Sequence, residues 1–60
     1  MRYREVEKLL KEDGWYEVGK KGSHHHFKHP VKPGKIPVPE HAGKDINPSL
    51  VREILKEAGL

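Results

Sequence analysis

The histidine-dense segment from Gly22 to Pro30 contains the residues of this 60-residue chain that are best suited to chemistry. It reads GSHHHFKHP, with histidines at positions 24, 25, 26 and 29. Free histidine titrates at about pH 6.5, so it can accept or donate a proton near neutral pH. The segment therefore predicts a proton-transfer site.

The charges around these histidines are all positive. Residues 18–39 contain five lysines and no acidic residue, and the remaining 38 residues carry seven Lys or Arg against nine Asp or Glu. The net charge of +3 thus divides into +5 inside this basic segment and −2 outside it. Such a local excess attracts polyanions. Together with the histidines, it predicts chemistry on RNA, whose 2′-hydroxyl becomes a nucleophile when a base removes its proton.

The size and composition set limits on the class of protein. Sixty residues predict one small domain, spanning 1–60. The chain has no cysteine, so disulfides and thiolate metal sites are excluded. No apolar run has the length of a signal-peptide core or a membrane span, and we expect a soluble, cytoplasmic protein.

The pattern of apolar and turn-forming residues predicts the order α-β-β-β-α. This is an α+β fold, with a three-stranded antiparallel sheet and both helices on one face. We expect a helix over 2–13, strands over 15–18, 23–29 and 35–39, a tight turn over 19–22, and a helix starting at Pro48 after an Asn47 N-cap. Prolines in the third strand place it at a sheet edge. The expected core comprises Val6, Leu9, Leu10, Trp15, Val18, Phe27, Ile36, Val38, Leu50, Ile54 and Leu55.

Strand alternation separates the neighbouring histidines. Ser23, His25, Phe27 and His29 should share one face of the second strand, and His24, His26 and Lys28 the other. Phe27 is the only large apolar side chain in the strand, so its face should meet the helices. This places His24 and His26 on the solvent face, within reach of RNA.

Motifs along the whole chain resemble the HicA (YcfA-like) toxin family. They are Asp13-Gly14-Trp15, the segment Lys21–Pro30, Pro37-Val38-Pro39, Lys44-Asp45 and the closing residues 54–60. The resemblance implies a fold like that of double-stranded-RNA-binding domains. It also implies an mRNA interferase, an endoribonuclease that is silenced by a HicB-type antitoxin. Because the RNA 2′-hydroxyl is a built-in nucleophile, we expect the reaction to need no cofactor, and growth arrest to follow from lost translation.

The resemblance also implies roles for individual residues. The family's catalytic histidine lies just after the glycine-serine pair, which implies His24 here, with His25 as the alternative. Gly22 would let the strand approach the RNA backbone closely, and Ser23 could supply a hydrogen bond. The expected RNA contacts are Lys20, Lys21, His26 and Lys28.

The other aromatic, histidine and acidic residues are interpreted mainly as structural. Trp15 is expected in the core and Tyr16 is a possible RNA contact. His29 and His41 are interpreted as loop or strand-end residues without chemistry. Asp45 is expected to order the turn before the second helix.

Three alternatives remain open for the histidine segment. A basic face is equally typical of an RNA-binding module without catalysis, although binding alone does not need the Gly22-Ser23-His24 placement. The same face could serve to meet an acidic antitoxin. His24 and His26, two residues apart on a strand, could also share a zinc ion.

Overall fold

The computed structural model describes residues 1–41 and 43–60, and these form two helices and a three-stranded antiparallel sheet. The elements are α1 (Tyr3–Asp13), β1 (Tyr16–Lys21), β2 (His24–Lys28), β3 (Ile36–Pro39) and α2 (Pro48–Glu57). β2 is the central strand, so the prediction that the proline-containing strand lies at an edge is confirmed. The predicted fold class is also confirmed. Neither of these helices has the length and apolar character needed to cross a membrane.

The β1–β2 hairpin is tighter than the sequence predicts. The expected turn over 19–22 is wrong, because β1 continues through Lys21, which pairs with His24. Only Gly22 and Ser23 form the turn. Gly22 has a φ of 60°, and the pattern of one left-handed glycine at the first of two turn positions is that of a type II′ hairpin. Ser23 therefore lies in the turn and not on the inner face of β2.

Apolar side chains from both helices and from one face of the sheet form a single core. Its members are Tyr3, Val6, Leu10, Trp15, Phe27, Ile36, Val38, Ile46, Val51, Ile54 and Ala58, with Leu55 packed against them. Seven of the predicted core residues are confirmed as buried: Val6, Leu10, Trp15, Phe27, Ile36, Val38 and Ile54. Leu9 and Leu55 are half-buried.

Two predicted core residues, Val18 and Leu50, are exposed. Val18 lies where the β1–β2 register shifts between Glu17 and Gly19, and such a bulge redirects a side chain from its expected face. In α2 the inward stripe consists of residues 51, 54, 55 and 58, and Leu50 lies beside it.

The start of α2 follows the sequence prediction closely. The Asn47 side chain accepts a hydrogen bond from the Ser49 N–H at 2.8 Å, and Pro48 occupies the first turn. An N-cap oxygen satisfies one of the backbone donors that a helix leaves unpaired, and proline lacks such a donor. The helix therefore begins at a position set by local chemistry.

A hydrogen-bonded network around Asp13 joins the C-terminal ends of both helices. Lys32 Nζ donates to Asp13 Oδ2 and to the Ala58 carbonyl, and Trp15 Nε1 donates to the same Asp13 oxygen at 3.2 Å. The hydrogen bond from Lys32 holds the pKa of Asp13 below its usual range. A cation at a helix C-terminus is also favoured by the helix dipole. Lys32 is therefore engaged in the fold and is not part of the free basic surface.

His29 ties the end of β2 to the end of α1. Its Nε2 donates to the Asp13 carbonyl at 2.8 Å, and its Nδ1 accepts from the Val31 and Lys32 N–H groups at 3.0 Å each. Gly14 ends α1 with a φ of 106°, and a Cβ there would lie 2.9 Å from His29 Nε2. Gly14 is thus required both by its left-handed backbone and by the approach of the imidazole.

We expect Gly14→Ala to lower the free energy of unfolding by about 2–3 kcal/mol. The left-handed backbone costs a non-glycine residue about 1–2 kcal/mol, and displacing His29 loses a hydrogen bond worth about 1 kcal/mol. Gly19→Ala is the matched control, because its φ is not in the left-handed region and a Cβ there meets nothing within 4 Å. Urea denaturation monitored by Trp15 fluorescence measures both variants. Equal effects of the two substitutions would contradict this account of Gly14.

Candidate nucleic-acid interface

The register of the sheet collects the cationic and imidazole side chains on the face away from the helices. Lys21 pairs with His24, and Tyr16 pairs with Lys28. Residues directly opposite in an antiparallel pair lie on the same side of the sheet, and alternation adds His26 to that side. We call the surface made by Tyr16, Lys21, His24, His26 and Lys28 the open face.

Exposure confirms the alternation predicted for the histidines. His25 and Phe27 are buried, with His25 only 9 % exposed, whereas His24 and Lys28 are exposed. Beside the cations, the Tyr16 side chain is 49 % exposed. A cationic surface with an accessible aromatic ring is typical of proteins that bind single-stranded RNA, because phosphates meet the cations and bases stack on the ring.

Lys20 does not belong to this surface. It pairs with His25, and this register places it on the helix side of the sheet, where it is exposed at the margin of β1. Of the lysines predicted to contact RNA, Lys21 and Lys28 share a face with His24, and Lys20 does not.

His26 has one buried ring nitrogen. Its Nδ1 is buried without a hydrogen-bond partner in the part of the chain that the structure describes. A bare lone pair is cheaper to bury than an N–H without an acceptor, which favours the tautomer with hydrogen on Nε2. His26 therefore presents an N–H donor through Nε2 on the open face.

His25 is held between two carboxylates directly behind the open face. Its Nδ1 lies 2.8 Å from Glu17 Oε2, and its Nε2 lies 2.6 Å from Glu40 Oε1. Glu17 comes from β1 and Glu40 follows β3, so this Glu17–His25–Glu40 clamp links the two edge strands through the central one. Both ring nitrogens are occupied, and each can donate when the imidazole is protonated.

The clamp favours the charged form of His25. Burial alone would lower the pKa of His25, but the hydrogen bonds to Glu17 and Glu40, with their negative charges, outweigh burial and raise that pKa. Sharing a cation between two carboxylates also removes the repulsion that they would otherwise exert on each other.

Tyr3 of α1 covers the clamp. Its ring lies against the His25 imidazole, with centroids 4.4 Å apart and planes tilted by 32°. Its hydroxyl donates to Glu7 Oε2 at 3.1 Å. Burial, followed by the charge of Glu7, raises the pKa of Tyr3. The first helix is thereby attached to the strand that carries the histidines.

Sequence reasoning missed Glu17 and Glu40 because they flank the basic segment and lie far apart along the chain. Pairing of β1 with β2 and of β2 with β3 returns them to its centre. The position of the turn alone does not reveal the contact, because a turn at Gly22 and Ser23 would bring Glu17 opposite Lys28 on the open face. The register shift between Glu17 and Gly19 brings Glu17 opposite Phe27 on the helix face, beside His25.

The described residues also show the surroundings of the predicted zinc alternative, of Asp45 and of His41. They contain no group of three or more His, Cys, Asp or Glu arranged to hold a metal ion. Asp45 forms an exposed ion pair with Arg2, at 3.6 Å. His41 is exposed in the loop after β3.

Comparison with known proteins connects this site to a family. The family model described as HicA toxin of bacterial toxin-antitoxin matches residues 3–60. A solved structure described as a toxin-antitoxin complex from Streptococcus pneumoniae contains a chain similar to this one, with a TM-score of 0.84 and 33 % sequence identity. That similarity covers 100 % of this chain and 98 % of the other. No curated protein matches the chain.

The clamp predicts that stability falls as the pH rises. Because the folded pKa of His25 lies above its ordinary value of 6.5, the clamp's contribution is complete below about pH 6.5 and is lost as the pH rises through the folded pKa. We expect a loss of about 1.5–3 kcal/mol in wild type, the range for hydrogen bonds to charged groups. Urea denaturation from pH 6 to pH 9 measures it.

The pH dependence of the free energy of unfolding is compared between wild type and His25→Gln. The difference between them isolates the contribution of the clamp, because the variant lacks the titrating group. His41→Gln, which removes an exposed histidine, is the control and should keep the wild-type dependence. An unchanged pH dependence in His25→Gln would show that the clamp does not stabilise the fold through its charge.

Proposed function

Because this chain belongs to the HicA toxin family of bacterial toxin–antitoxin systems, we propose that it is a metal-independent mRNA endoribonuclease with His24 as general base. The observation that carries the proposal is the position of His24. It is exposed on the open face beside Lys21, and its ring makes no hydrogen bond to the described residues. Its lone pair is therefore available to a substrate.

The state of His25 supports the choice between the two neighbouring histidines. Both nitrogens of His25 are engaged by carboxylates, and the pKa of His25 is raised, which favours the protonated ring. A protonated imidazole has no lone pair to accept a proton. His25 is also buried, whereas a base must come within hydrogen-bond distance of the hydroxyl it deprotonates.

The proposed reaction uses the RNA's own hydroxyl as nucleophile. Neutral His24 takes the 2′-hydroxyl proton, the oxygen attacks the adjacent phosphorus, and the bond from phosphorus to the 5′-oxygen breaks. The products are a 2′,3′-cyclic phosphate and a 5′-hydroxyl, and the leaving oxygen takes its proton from water. A positioned base of this kind contributes about 10²–10⁴-fold to the rate.

The remaining groups of the open face suit the binding of the reacting phosphate. Lys21 is paired with His24 and can meet the reacting phosphate, whereas Lys28 lies about 13 Å along the same strand and can meet a neighbouring phosphate. Charges already in place where negative charge develops stabilise the transition state without reorganisation. The Nε2–H of His26, about 7 Å along the strand from His24, can donate to a phosphate oxygen or to a base.

The turn places these groups without entering the chemistry directly. Gly22 supplies the left-handed backbone that lets Lys21 and His24 face each other, and a Cβ there would meet nothing within 4 Å. The exposed Ser23 hydroxyl can hydrogen-bond to the RNA backbone. Glycine is thus required here by the conformation of the turn.

We also propose that an antitoxin of the HicB type silences this chain by covering the open face. The family and the toxin-antitoxin complex from Streptococcus pneumoniae support such a partner. An inhibitor of a cationic face needs acidic groups, which also speed association by electrostatic attraction.

The products of cleavage test the mechanism. Incubation of purified protein with RNA should give 5′-hydroxyl ends and cyclic or 3′-phosphates, at a rate unchanged by EDTA. His24→Ala should lower the rate at least about 100-fold because the base is lost, with the fold verified by circular dichroism. Recovery of 5′-phosphate ends, or inhibition by EDTA, would indicate metal-activated water instead. RNA binding without any cleavage would favour the non-catalytic binding module.

A further inference from the structure

A second cationic surface lies outside the open face, in a groove between the start of α1 and the loop after β3. Arg2, Arg4 and Lys44 supply its positive charges, and Glu5 and Glu40 also line it. Tyr3, the residue that covers the His25 clamp, lines it too. We call it the Arg4–Lys44 groove.

The two carboxylates of this groove are already engaged. Glu5 Oε1 accepts the Arg2 backbone N–H at 2.9 Å, and Glu40 Oε1 accepts from His25 at 2.6 Å. Among the cations, Arg2 pairs with Asp45, whereas Arg4 and Lys44 form no ion pair with any carboxylate in residues 1–41 and 43–60. Two exposed cations therefore remain free to bind an anion.

The groove opens at the end of the sheet that carries His24. Glu40 directly follows Pro39, the residue paired with His24, and its N–H donates to the Ser23 carbonyl at 2.7 Å. A polyanion lying across His24 therefore reaches the groove by passing over the end of β3. Glu40 at this end of β3 thus lies between the two cationic surfaces.

We propose that the Arg4–Lys44 groove is a second binding subsite for backbone phosphates of an RNA strand that extends beyond the open face. This rests on the proposed function for the identity of the polyanion as RNA. Guanidinium and ammonium groups are the usual partners of phosphate, and such contacts hold the strand without reading its sequence. The groove thereby favours long substrates over short ones.

The salt dependence of binding to non-cleavable RNA tests this subsite. In 2′-O-methylated RNA the nucleophile is blocked, so wild-type protein can be studied at equilibrium. For single strands the slope of log K against log salt changes by about 0.7 for each phosphate contact. The double variant Arg4→Gln/Lys44→Gln should therefore lower the slope for a 12-nucleotide strand by about 1.4, and leave that for a trinucleotide unchanged.

A matched control separates the groove from overall charge. Arg52→Gln/Lys56→Gln removes the same charge from exposed positions on α2 that do not line the groove, and should alter the slope much less. Equal slopes for the two double variants, or an unchanged affinity for RNA with weakened binding of the antitoxin, would overturn the proposal. Cleavage of unmodified RNA is measured in parallel. If the Arg4→Gln/Lys44→Gln variant lowers the salt slope but wild-type protein does not cleave RNA, the subsite is supported and the proposed catalysis is contradicted.

Discussion

One imidazole between two carboxylates connects the parts of this small protein. The His25 ring receives Glu17 from one edge strand and Glu40 from the end of the other, and Tyr3 of the first helix covers it. A small domain buries a limited apolar core, so contacts that join several elements at once matter more than they do in a large protein. The charged form of this buried ring is favoured because each of its nitrogens faces a carboxylate.

The clamp also distinguishes the two adjacent histidines, His24 and His25. Strand geometry turns His25 toward the helices and His24 toward solvent, so two identical side chains occupy opposite environments. One is engaged on both nitrogens, and the other is open to a ligand. The basic segment is divided in a similar way, since Lys32 binds Asp13 and the end of α2 while Lys21 and Lys28 stay on the open face. Net charge alone does not reveal which cations remain available.

Local signals were sufficient to predict most of the fold and the orientation of the histidines. The Asn47-Pro48 start of α2 and the alternation around Phe27 depend on neighbours in sequence, and both are confirmed. The predicted position of the turn was wrong because glycines at both ends of residues 19–22 fit more than one hairpin register. The errors at Val18 and in the carboxylate partners of His25 have a different cause, the bulge between Glu17 and Gly19, because a bulge and cross-strand pairs are set by tertiary pairing.

The most direct test of the account is growth after induced expression of wild type, His24→Ala and His25→Gln, with total RNA examined from each culture. We predict that wild type arrests growth and depletes mRNA, that His24→Ala does neither while accumulating as folded protein, and that His25→Gln keeps activity in proportion to its folded fraction. Arrest and mRNA decay that persist in His24→Ala would contradict the assignment of the base. Intact RNA and normal growth with all three proteins would contradict the ribonuclease itself.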